Sequence, residues 1–211
     1  ASSEIQSLVE QIYTLSYEGM AAAVETKATE ELKELLSEVK YVRPEILKRA
    51  VENPISGLTL SDTLERSRKE IIYNIKSQIT AGLLNGDRMS SMARRIADSV
   101  EKNYRKSVAI ARTETHRVRE AGFHDSAVSI EETLKKGTTS LRMTKTWRSM
   151  KDERVRKTSK ANHRKMDGVT IPIDDYFNLG RGVKTKAPGQ SGDAANDINC
   201  RCYLSYDLKE I

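Results

Sequence analysis

From the N-terminus to about residue 136 apolar positions recur at intervals of three and four, and after residue 137 the interval drops to two. A period near 3.6 places apolar side chains on one face of a helix, whereas a period of two places them on one face of a strand. The chain therefore predicts helices followed by a small sheet. In SSEIQSLVEQIYTLSYEGMAAAVET the series Ile5, Leu8, Val9, Ile12 and Leu15 marks a helix face, with Ser3 as its cap. A second helix follows Thr29 in ATEELKELLSEVK, with acids in its first turn and Lys40 near its end, as the helix dipole favours. Pro44 opens a third in RPEILKRAVEN, and NPISG at residues 53–57 breaks the chain again.

Thr59 or Ser61 is expected to cap a long helix that stops at Asn85-Gly86, since a helix C-terminus often ends on a left-handed residue. Ser90 or Ser91 is expected to cap the next, SSMARRIADSVEKNYRKSVAIARTETHRVREAGF, with a break near Lys102-Asn103. Thr-rich TTSLRMTKTWRSM reads as a strand, VTIPI as a second held to a sheet edge by Pro172, and INCRCYLSYDL as a third. The basic segment DERVRKTSKANHRKMDG reads as a short helix or loop, and GRGVKTKAPGQSGDAAND as loop. The fold class is α+β: an acidic helical region (1–58), a long-helix region (59–136), and a basic module with a short antiparallel sheet (137–211).

Charge sharpens that division. The net charge is +6 over 211 residues, yet residues 1–60 carry −4, residues 61–136 carry +4 and residues 137–211 carry +6. An acidic front and a basic back fit two kinds of partner, polyanions being the natural one for the basic end. The densest stretch holds Lys145, Arg148, Lys151, Arg154, Arg156, Lys157, Lys160, Arg164 and Lys165 against Asp152 and Glu153. Such a surface can bind double-stranded DNA by releasing counterions without reading bases. It can equally meet an acidic protein or pack its arginines inside the fold. Trp147 is the only aromatic in that stretch, too few for a single-strand stacking platform. No apolar run approaches the ~18 residues of a membrane span, and ASSEIQSLVE lacks a basic-then-apolar leader. Two cysteines make no disulfide framework, which favours a reducing compartment.

Those cysteines, Cys200 and Cys202, carry the chemistry worth weighing. In a strand, positions two apart face one side, so both thiols can address one atom. With His163 and Asp152 or Asp167 they would make a structural zinc site, which needs about four ligands. Alternatively they are small buried hydrophobes, with His163 bonded to a carboxylate such as Asp167, or they form a strained disulfide. Arg112 and Glu114 in ARTETHRVRE suggest a buried Arg–Glu network tying helix to sheet, with His116 and Glu120 spaced to pair. The P-loop, G-x-G-x-x-G, H-E-x-x-H and G-x-S-x-G patterns are all missing. A metal-dependent nuclease built from His163, Asp152 and Asp167 is the remaining enzymatic alternative.

Five segments occur in order: ITAGLLNGDRMSSMARRIA, AIARTETHRVREAG, KTWRSMKDERVRKTSKANHRKMDG, APG and INCRCYL. Together, over roughly residues 65–206, they resemble the phage Mu protein F-like head morphogenesis family of minor head or minor capsid proteins. The family pattern falls on Arg112, Thr113 and Glu114; on Trp147, Asp152, Arg154 and Arg156; and on His163, Asp167 and Gly168. It ends on Phe177, Pro188-Gly189 and Asn199 to Cys202. Many relatives place Pro soon after the second arginine, where this chain has RKTSKANH. The resemblance implies a non-enzymatic component of a tailed-phage virion, assembled in the host cytoplasm into the procapsid near the portal. It would contact portal, capsid or scaffold protein and take part in delivery of the DNA genome, either by touching DNA or as a pure protein adaptor.

Overall fold

The computed structural model describes residues 2–52, 60–137, 139–158 and 161–210. Helices α1 (Ser2–Glu25), α2 (Glu30–Leu36) and α3 (Pro44–Glu52) precede the long α4 (Leu60–Leu84) and α5 (Met89–Lys136). Strands β1 (Leu141–Ser149), β2 (Thr170–Pro172), β3 (Phe177–Gly180), β4 (Val183–Thr185) and β5 (Cys202–Glu210) follow, with a one-turn helix α6 (Ala194–Asp197) before β5. The α+β class stands as expected, and every strand pair is antiparallel.

Several local expectations hold for the physical reasons that prompted them. Thr29 caps α2 by accepting from Leu32 N at 3.4 Å. Pro44 opens α3, and Gly86, at φ 65°, follows the end of α4. Others are corrected. α1 begins one residue ahead of Ser3, and α5 begins at Met89 behind Arg88, without a serine cap. α5 also runs unbroken for 48 residues. Asn103 does not interrupt it, being buried, with its carbonyl accepting from Ser107 Oγ at 3.0 Å. Thr59 and the NPISG break lie outside the described residues.

The face of α1 is rotated from the expected one. Val9, Tyr13, Tyr17, Met20 and Val24 are buried, whereas Leu8 and Leu15 are exposed. Tyrosine wins because its ring packs on Val118 and Ala121 of α5 while its hydroxyl keeps a polar partner, Tyr13 Oη donating to Asp125 Oδ2 at 2.6 Å. Gly122 lets the two helices approach: a Cβ there would stand 2.6 Å from Tyr13 O.

The sheet order is β2-β1-β5, with β1 and β5 paired over nine residues from Leu141↔Glu210 to Ser149↔Cys202. Pro172 sits on the edge strand, where its missing N–H costs nothing. Met143, Lys145, Trp147 and Ser149 share the buried face of β1. Met143 joins Ile130 and Leu134 of α5 in the core between helices and sheet. A second hairpin, β3–β4, replaces part of the expected loop. Its turn is Gly180-Arg181-Gly182, all three at positive φ, which the two glycines adopt without strain.

Candidate functional site

β5 begins at Cys202, so Cys200 precedes the strand. Asn199, at φ 54°, bends the chain between α6 and Cys200, and Met150 N donates to Arg201 O at 3.2 Å, which carries the β1–β5 pairing back to the residue between the two cysteines. Their sulfurs lie 3.5 and 3.6 Å from one atom, Nδ1 of His163. All three residues are buried, their ligand atoms within 4.8 Å of one another, and both cysteines are free thiols. The rings of Trp147 and Phe177 close the cluster, Trp147 lying edge-on to His163 at 5.4 Å and to Phe177 at 5.1 Å.

The partner of His163 is Asn196, not a carboxylate: Nε2 and Asn196 Oδ1 are 3.0 Å apart. Asn196 Nδ2 donates to Asp193 Oδ2 at 2.6 Å, so the amide must present its oxygen to the histidine. His163 then carries its proton on Nε2, leaving the Nδ1 lone pair aimed at the sulfurs. The bond from Cys202, aided by His116 and His163, draws the Cys200 thiol well below the usual range against its burial. The same contact and burial push the Cys202 thiol up.

The carboxylates expected around His163 have other duties. Asp152 pairs with Arg201 at 2.5 Å, and Asp167 accepts from Ser149 N at 2.8 Å and meets Lys151 at 3.3 Å. The nuclease set of His163, Asp152 and Asp167 is thus not brought together. The buried arginine of the helix is Arg117 rather than Arg112: it donates to Glu114 at 3.0 Å. Helix and sheet are tied instead by two acids of α5 that accept from strand amides, Glu120 of the expected stretch and Glu131 beyond it. Glu120 Oε2 accepts from Leu204 N at 3.3 Å, and Glu131 Oε2 from Met143 N at 2.7 Å.

Arg112 is exposed, and it lines a cleft of about 930 Å³ with Arg105, Arg154, Arg156 and Arg201. Val108, Ala109 and Ile198 supply apolar wall, and Cys200 belongs to the same lining. Arg201 is held by Asp152, Arg105 meets Glu101, and Arg156 donates to the carbonyl of Ile198. Arg112 and Arg154 have no acidic partner among the described residues. Arg148, Lys157, Arg164 and Lys165 are exposed outside the cleft lining, and Lys151 is exposed with Asp167 as partner. Lys160 lies outside the described residues.

Lys145 must be removed from the surface set. It is wholly buried, its Nζ 5.5 Å from the Phe177 ring centre, and no duplex can reach it there. Burial, reinforced by Lys186, holds its pKa down to about 7. Of the two cleft arginines not counted as candidates, Arg105 had a readable signal, since it precedes Arg112 by seven residues on the same helix face.

The family described as Phage Mu protein F like protein matches residues 73–205, more than half of the chain. The chain belongs to that family. Among curated relatives of this Mu F-like chain, minor head protein GP7 of Bacillus phage SPP1 is 42% identical over 162 residues. That match takes in 77% of this chain and 49% of the relative. The NAD(+)–arginine ADP-ribosyltransferase EFV of Enterococcus faecalis (strain ATCC 700802 / V583) is 30% identical over 161 residues, 76% of this chain and 31% of that protein. The chain thus spans about half of one relative and about a third of the other. No solved structure matches. Among the described residues no helix is long and apolar enough to cross a membrane.

Proposed function

We propose that this Mu F-like chain acts as a minor head protein of a tailed phage: it joins the procapsid near the portal and handles the DNA genome by non-specific phosphate contact. The five-arginine cleft between α5 and the segment before β5 carries this reading. Guanidinium groups present planar, bidentate donors suited to phosphate oxygens, and among the described residues Arg112 and Arg154 have no carboxylate partner. The SPP1 relative, named as a minor head protein, supports the setting. The second relative is named for ADP-ribosyl transfer. A module common to a head protein and a transferase is most simply the part that does not set either protein's chemistry, so no catalysis is assigned to it.

In this reading the acidic end of the chain, where Glu30, Glu31 and Glu34 are exposed, faces portal, capsid or scaffold protein. The protein resides in the head interior after assembly in the host cytoplasm and acts again when the genome leaves. Binding of the purified chain to a random-sequence duplex across a salt series tests the DNA half. Copurification with heads and portal protein tests the assembly half. A flat, undetectable duplex signal even at low salt would leave the apolar wall of Val108, Ala109 and Ile198 as the deciding feature. That wall favours an acidic peptide segment of a head protein as the occupant, which is the adaptor reading.

A further inference from the structure

We infer that His116, His163, Cys200 and Cys202 form a structural zinc site that locks the segment before β5 onto α5. Three of the four donors already converge, with Cys200, Cys202 and His163 Nδ1 inside one 4.8 Å set and buried. The outer nitrogen of His163 is fixed by Asn196 and Asp193, the kind of support that orients a metal-binding imidazole and leaves the other nitrogen deprotonated.

His116 completes the set from the helix side. Its Nε2 is buried and has no hydrogen-bond partner among the described residues, although it lies outside the 4.8 Å set. Its place on α5 is bracketed by two fastenings. Three residues earlier Thr113 Oγ1 accepts from Asn199 N at 2.9 Å, next to Cys200 in the chain. Four residues later Glu120 accepts from Leu204 N, two beyond Cys202. Positions three and four apart share a helix face, so His116 faces the interval that holds both cysteines. Across the ring runs Pro188-Gly189: a Cβ at Gly189, which sits at φ 74°, would stand 3.4 Å from His116 Cδ2.

The chemistry selects the ion. Two thiolates and two neutral imidazoles are the donor set of closed tetrahedral zinc centres, and no carboxylate oxygen joins the set as calcium or magnesium would require. A closed site of this kind serves structure rather than catalysis. Since Cys200 also lines the arginine cleft, the ion would set the position of Arg201 and of the cleft wall. The sequence pattern offered Asp152 or Asp167 beside His163 and the two cysteines, but both carboxylates are engaged elsewhere, which leaves the set without its fourth ligand. His116, 47 residues upstream on the long helix, is that ligand.

The test uses the whole chain, purified under reducing conditions. One zinc per chain is expected, together with an absorption edge fit of two sulfurs at about 2.3 Å and two nitrogens at about 2.0–2.1 Å. Replacement by Co²⁺ should give the intense visible bands of a tetrahedral thiolate site. His116→Ala should weaken zinc at least 10-fold and lose the tetrahedral spectrum, and His116→Cys should restore it. A chain that takes up neither Zn²⁺ nor Co²⁺ at the thiols overturns the site. Wild-type affinity and spectrum in His116→Ala overturn the fourth ligand. Should that variant not fold, the wild-type edge fit decides instead: a single nitrogen with an oxygen in place of the second overturns the assignment of His116.

Discussion

Two buried bases on facing elements each make stability depend on pH. Burial drives His124 of α5 down to about 3, and Lys145 and Lys186 add to the effect. Lys145 of β1, with Lys186, Asp174 and Asp175 around it, is held down to about 7. Each folded value lies below the unfolded one, so the unfolded chain takes up the proton first as pH falls. Stability is therefore lost between pH 6.5 and 3 through His124 and between pH 10.5 and 7 through Lys145. Lys145→Met keeps the apolar stem against Phe177 and removes the buried amine. It is expected to raise stability at pH 6 by an amount on the order of 2–4 kcal/mol, a gain that shrinks as pH approaches 10. Urea unfolding midpoints of the two proteins at pH 6, 8 and 9.5 measure the difference, and a gap independent of pH would contradict the assignment. Asn196→Ala belongs to the same scale: it frees the His163 tautomer and should weaken zinc about 10–100-fold while leaving both thiols in place.

At the level of elements, the α1–α5 crossing rests on Gly122. In an exposed helix Gly→Ala gains about 1 kcal/mol of helix propensity. Here the added methyl meets backbone, Tyr13 O at 2.6 Å, which no rotamer change relieves. Gly122→Ala should lower stability by about 1–3 kcal/mol, seen as a lower urea midpoint at unchanged slope. An unchanged or higher midpoint would mean that α1 shifts freely on α5. The same crossing explains why periodicity placed α1 correctly as a helix but misassigned its face. Leu8 and Leu15 are the more apolar side chains, yet the face is chosen by distant partners, Asp125, 112 residues from Tyr13, and Gly122. Caps at Thr29 and Pro44 and the stop at Gly86 were legible because their causes are local. The β3–β4 hairpin was not, being only four and three residues long and dominated by its G-R-G turn. For the site, the spacing of Cys200 and Cys202 was informative, since both thiols do address one atom, His163 Nδ1. The roles of His116 and Asn196 depend on how α5 and α6 meet, which no local pattern records.

For the whole molecule the deciding question is whether the arginine cleft sees phosphate. Net charge alone does not answer it, because the basic residues are dispersed. Lys145 is buried, Lys151 is paired with Asp167, Arg156 is spent on a backbone carbonyl, and Arg201 is tied to Asp152. What remains concentrated is Arg112 and Arg154, from elements far apart in sequence, facing one cleft. A generic basic surface would respond to any lost charge alike, in proportion to charge removed. A cleft that grips the backbone would respond chiefly to these two. Each phosphate contact contributes about 0.9 to the slope of log K against log salt for duplex DNA. Arg112→Gln with Arg154→Gln should therefore reduce that slope by roughly 2. Lys157→Gln with Lys165→Gln, which removes the same charge from exposed positions outside the cleft, should change it by less than half as much. Equal losses from both pairs would identify the binding surface as the basic face at large. A slope untouched by the cleft pair, with binding to an acidic head-protein segment lost instead, would assign the cleft to protein rather than DNA.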